Sequence, residues 1–99
     1  MIGFYAKFTT AAENRDALIA LLSQAAASMS AIPECRIYIV NRDASDASVT
    51  WVTEIWDNAE AHQASLKNDS AKALIAKAMP LLSEMPKQTR LDPIGGKGI

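Results

Sequence analysis

Two rhythms run through the hydrophobic positions of the chain. Ile2, Phe4, Ala6 and Phe8 alternate with Gly3, Tyr5, Lys7 and Thr9, a period of two that predicts a strand with one apolar face. The period then lengthens. Leu18, Leu21, Leu22, Ala25 and Met29 recur at three- and four-residue steps, the stripe of an amphipathic helix. Thr10 and Glu13 have the spacing of a capping box, so this helix is expected to open at Ala11. Pro33 closes it, because proline disfavours helix in the residue before it. Cys35 to Arg42 predicts a second strand, and the polar stretch Asp43 to Ser48 a hairpin connection.

The richest stretch follows. Val49 to Trp56 is β-branched and aromatic, and it reads as a third strand with Val49, Trp51, Thr53 and Ile55 on one face. Thr50, Val52, Glu54 and Trp56 take the other, so bulk lies on both sides and both should be covered. Asp57 with Glu60 again has capping spacing, so a helix is expected directly after the strand, carrying His62, the only histidine. Lys67 to Ser70 breaks the pattern. Ala71, Leu74, Ile75, Ala78, Leu81 and Leu82 then mark a further helix, with Pro80 near its end. Met85 to Leu91 suits a last short strand begun by Pro86, and residues 93–99, rich in glycine, an extended arm.

Strand, helix, strand, strand, helix, helix, strand is the order of a ferredoxin-like α+β sandwich, with one antiparallel sheet. Helices cover one sheet face. The other is left with Ile37, Ile39, Trp51 and Ile55, an apolar surface that predicts a homodimer.

Composition narrows the class. The 99 residues suit one domain, 49% hydrophobic and 21% charged, with a net charge of −1. No stripe of Lys and Arg exists, so nucleic acid is not expected as a partner. No run approaches the ~18 to 20 apolar residues of a membrane span, and no signal peptide precedes the first strand. One cysteine makes no internal disulfide, which points to a soluble cytoplasmic protein.

The order of elements, together with C-x-x-Y (Cys35, Tyr38), EIW (Glu54 to Trp56), AHQASL (Ala61 to Leu66) and the terminal PIGGKG, resembles the antibiotic biosynthesis monooxygenase (ABM) family. The small quinol monooxygenase branch is the nearest in character. The resemblance implies a dimeric α+β barrel, in which two sheets pack through their outer faces, and a pocket in each subunit between sheet and helices. It implies that some members oxidise quinols or anthrones with molecular oxygen and use no metal, flavin or haem. Haem-degrading relatives of the fold rely on an Asn, a Trp and a His where this chain has Ala6, Ser65 and Ile75, which disfavours a haem reading.

The residues themselves agree with a cofactor-free reading. One His and one Cys on different elements do not make a transition-metal site. No glycine-rich loop opens a helix after a strand, so no nucleotide fingerprint exists. A nucleophilic Cys35–His62 pair is conceivable, but a lone Cys is more often a small hydrophobe. His62, titrating near ~6.5 when unperturbed, can take a proton at neutral pH. Removing a proton from a quinol or anthrone leaves an electron-rich anion able to reduce oxygen. Catalysis then needs a base, an apolar slot and a donor for the developing oxyanion. His62 is the candidate base, Trp56 a wall of the slot, and Tyr38 or Glu54 a polar contact. The structural alternatives are a packed helix residue for His62, an ion pair with Arg36 for Glu54, and plain interface bulk for Trp51. The functional alternative is a non-oxidative ligand binder or isomerase on the same scaffold.

Overall fold

The computed structural model describes residues 1–99. Its strands are β1 (Ile2–Thr9), β2 (Cys35–Arg42), β3 (Val49–Trp56) and β4 (Lys87–Leu91), and its helices α1 (Arg15–Met29), α2 (Ala59–Leu66) and α3 (Asp69–Ala78). The sheet is antiparallel with order β2-β3-β1-β4. The crossover carrying α1 therefore passes over β3, and the one carrying α2 and α3 passes over β1. This is the ferredoxin-like α+β architecture that the alternation of rhythms predicts.

Register decides which side chains share a face. Phe4 pairs with Glu54 and Glu54 with Tyr38, so these three form one row on the helix side, continued on β4 by Arg90. The next row is Val40, Val52, Ala6 and Gln88. On the opposite face Ile39, Thr53 and Tyr5 make one row, and Asn41, Trp51 and Lys7 another. Ile2, Phe4 and Trp56 form the small buried core cluster at one end, with Met29 and Ile32 packed on it. Leu18 and Val52 are buried further along.

Two helix starts differ from expectation. Thr10 does not cap α1: its side chain is buried without a hydrogen-bond partner, and its backbone bridges to Leu82. Ala12–Asn14 instead make a 3₁₀ turn, and the α-helix opens at Arg15. Thr10 is held in the sheet, its backbone N–H donating to the Ser48 carbonyl at 2.9 Å. Arg15 meanwhile ties the helix to the β2–β3 loop, donating to the carbonyls of Asp46 at 2.9 Å and Asp43 at 3.4 Å. At α2 the cap is Asn58, whose Oδ1 accepts from the Ala61 amide at 2.8 Å. Asp57 lies one residue too early. It pairs instead with Arg36, and its backbone N–H donates to Glu34. Asn58 heads α2 and Asn68 heads α3 by the same device, which satisfies an otherwise orphaned first-turn amide.

Candidate active site

His62 arrives at the sheet because α2 starts almost as soon as β3 ends. Its Nε2 lies 3.9 Å from Glu54 Oε1. Its ring rests 4.2 Å from that of Phe4, and it meets Trp56 edge-on at 5.5 Å. The imidazole is thus gripped by two aromatic rings and faced by a carboxylate, and only 9% of the residue remains exposed. One helical turn on, the buried Ser65 donates its hydroxyl to the His62 carbonyl at 2.6 Å. That bond braces the turn that carries the imidazole.

Glu54 is held by its strand neighbour. The Trp56 indole N–H donates to Glu54 Oε1 at 3.0 Å, the same oxygen that faces His62. The contact is possible because residues two apart on a strand share a face. Arg36 is engaged by Asp57, so the ion pair that would have made Glu54 a simple strand-end anchor is not formed.

The electrostatics follow from burial. Desolvation pushes the Glu54 carboxyl up, and the indole N–H opposes this by stabilising the charged form. Desolvation pulls His62 below its ordinary 6.5, leaving a neutral imidazole at neutral pH. Tyr38, cross-strand from Glu54, is pushed well above the usual phenol range by burial first and then by the charges of Glu54 and Cys35. It stays a hydroxyl and can only donate or accept as one. The Cys35 thiol is raised to about 11 by burial and by Glu54, so at neutral pH it is a thiol with little nucleophilic character. Nothing brings it into a pair with His62.

Above this row the sheet and helices leave a cavity of about 320 Å³. Tyr38, Glu54, His62 and Ser65 supply its polar lining near the core end. Leu21, Leu22 and Ala25 of α1 and Leu74, Ile75 and Ala78 of α3 supply apolar walls. Three of the four residues singled out in the sequence, Tyr38, Glu54 and His62, therefore converge on one space. Trp56 does not line it. Trp56 is fully buried, 0% exposed, beneath the row, and reaches the cavity only through its bond to Glu54. Phe4 and Ser65 escaped the sequence reading. Phe4 was legible only as an apolar strand residue, and no local pattern distinguishes Ser65. No three His, Cys, Asp or Glu side chains converge in a way that would hold a metal ion.

The molecule is thus a small ferredoxin-like α+β domain with a helix-covered cavity beside a buried imidazole and a facing carboxylate. The sequence profile described as antibiotic biosynthesis monooxygenase matches residues 1–77, from β1 through most of α3, and the chain belongs to that family. No curated protein matches the chain. Among solved structures, a Chloroflexus aurantiacus protein provisionally named antibiotic biosynthesis monooxygenase is 39% identical, with 99% of this chain and 97% of that one covered at a TM-score of 0.88. Proteins given the same provisional name share the fold at lower identity. The one from Deinococcus radiodurans is 24% identical, covering 100% of this chain and 98% of its own, with a TM-score of 0.86. The one from Nitrosomonas europaea is 9% identical, covering 96% and 100%, with a TM-score of 0.90. No helix of this chain is long and apolar enough to cross a membrane.

Proposed function

We propose that this protein is a monooxygenase that oxidises a small quinol- or anthrone-like aromatic with molecular oxygen, using no bound cofactor. One observation carries the reading: a buried, neutral imidazole faces a carboxylate in the lining of a mostly apolar cavity. His62 takes the substrate's acidic proton. The imidazolium that forms is stabilised by the Glu54 carboxylate at 3.9 Å, an attraction strengthened by the low polarity around it. Tyr38, kept protonated, donates to the oxygen on which negative charge gathers. The substrate anion passes electrons to oxygen. One oxygen atom enters the ring and the other leaves as water, so the substrate itself is the reductant.

Trp56 acts through Glu54, not by touching the ring. A second copy of the chain, packed on the open sheet face, completes the assembly we propose. Ile39 is 49% exposed there, and Tyr5 stacks on Trp51 at 4.7 Å to form a flat aromatic surface beside it. A cytoplasmic setting, where the Cys35 thiol stays reduced, suits this reading. The test is oxygen uptake with a panel of quinols and anthrones. Substrate-dependent consumption by the metal-depleted protein is the expected result. Failure of every panel member, or activity restored only by an added metal or flavin, would sink the proposal.

A further inference from the structure

The cavity has a property that its apolar character hides. Its walls include one acidic side chain, Glu54, and no lysine or arginine at all. Among the basic residues of the neighbouring elements, Lys67, Lys72 and Lys77 are exposed and do not line it. The nearest by register is Arg90, which follows the lining residue Gln88 on β4 and sits level with Phe4, yet it too is exposed and outside the lining. His62 is the remaining basic group, and burial keeps it neutral while Glu54 already faces it.

We propose that the cavity selects by charge, accepting an uncharged hydroxylated aromatic ring and rejecting the carboxylated, sulfonated or phosphorylated form of the same ring. The physical reason is twofold. An anion brought into an apolar space loses its hydration and finds no cation to replace it. It also meets the Glu54 carboxylate, whose charge is screened weakly there. A hydroxyl meets neither penalty, since Tyr38, Glu54, His62 and Ser65 can all exchange hydrogen bonds with it. Three side chains extend the neutral lining outward: Leu66, Ile75 and Met79, which line the cavity while staying 46%, 46% and 45% exposed. The exposed polar residues of the lining, Ser28, Asn68, Ser70 and Gln88, are uncharged too, so a substituent that reaches the mouth meets no cation there either. This deepens the proposed function and rests on it. It also separates that function from the handling of a phosphorylated sugar, for which the cavity offers no lysine or arginine.

Binding can be read without turnover, by calorimetric titration at pH 7.5 with three stable probes: 2-naphthol, 6-hydroxy-2-naphthoate and 1-naphthyl phosphate. The neutral phenol should bind and the two anions should bind at least roughly a hundredfold more weakly. Glu54→Gln should narrow that gap about tenfold, by strengthening the binding of the anions. Leu74→Trp, which fills the space from α3, should abolish naphthol binding and so locate the site. Anions that bind within about threefold of the phenol, a gap untouched by Glu54→Gln, or no binding by any probe would each overturn the proposal. Selective binding of the phenol with no oxygen consumption on any quinol would leave charge selection standing and remove the monooxygenase reading. Equal turnover of neutral and anionic quinols would do the reverse.

Discussion

Glu54 and His62 face one another across the junction of β3 and α2, Oε1 to Nε2 at 3.9 Å, and burial pushes each toward its uncharged form. At that distance they are not hydrogen-bonded in the resting state. They become an ion pair when the imidazole gains a proton, which is the moment at which a base needs support. Burial favours the neutral ring, and a proton gained there would find the Glu54 carboxylate as its counter-charge.

Replacing His62 tests that directly. His62→Ala should lower kcat by roughly 10²- to 10⁴-fold, the range expected for loss of a general base. His62→Gln keeps volume and hydrogen bonding without basicity and should be nearly as poor. Oxygen-electrode rates on a quinol that the parent turns over give the answer. If both variants stay within about threefold of the parent, the proton leaves by another route and His62 only packs the core end.

The pH dependence has a defined sign. Because His62 titrates below 6.5, kcat/KM should climb with pH through an inflection below that value and level off by neutrality. The same shift acts on stability. The unfolded chain takes up the imidazole proton where the folded chain refuses it, so stability is intact above about 6.5 and erodes as pH falls through that region. Glu54 has the opposite sign: its raised carboxyl holds a proton more tightly when folded, so its burial costs stability at neutral pH and less on acidification. Glu54→Gln should therefore melt no lower than the parent at pH 7.5 while its kcat falls, by about tenfold or more for loss of a partner charge. Thermal melts across pH 5 to 8 would expose a wrong sign in either residue.

Trp56 offers a subtler probe. Trp56→Phe removes the N–H that supports the Glu54 carboxylate and leaves space in a site with no exposure. About 1 to 3 kcal/mol of stability should be lost, within the usual range for core truncation. The Glu54 carboxyl should rise further, and its protonation, which removes the partner charge beside His62, should displace the acid limb of the rate profile. A purely structural Trp56 would lower the melting temperature and leave that limb in place.

The open sheet face predicts association. Burial of Tyr5, Ile37, Ile39, Trp51 and Ile55 against a second copy would contribute about 25 cal/mol per Å² of apolar area. Light scattering at micromolar concentration should give twice 10.7 kDa. Trp51→Lys, which also breaks the indole bond to Asp43 at 2.8 Å, should give monomer or aggregate. A parent that stays monomeric refutes the assignment of this face.

Much of this was legible in the chain because strand alternation survives folding. From Thr50 to Trp56 the alternation holds, with Thr50, Val52 and Trp56 buried on the helix side, which is why Glu54 and Trp56 meet; Val49, placed by it on the open face, is buried at the sheet's end. Capping was less legible. Asp57 and Asn58 are both good cap residues, and the choice between them was made by Arg36, a strand away and invisible to local spacing. Helical periodicity had a different limit. The stripes Leu21, Leu22 and Ala25 and Leu74, Ile75 and Ala78 turn toward the sheet side as predicted, with Ile75 at the rim, yet although α1 and α3 touch they leave a cavity below them. A 3.6-residue period reports which face turns inward, not whether anything fills the space there.

Those unfilled walls carry a consequence for the protein's lifetime. The chain leaves part of its interior unfinished, and a guest that fits would supply the missing packing. Occupancy and heat resistance are then one quantity: a ligand at a hundred times its Kd adds about 2.7 kcal/mol to the folded state. A cell poor in that compound would hold a looser, more readily degraded population, and supply of the compound would raise the amount of the protein without any change in its synthesis.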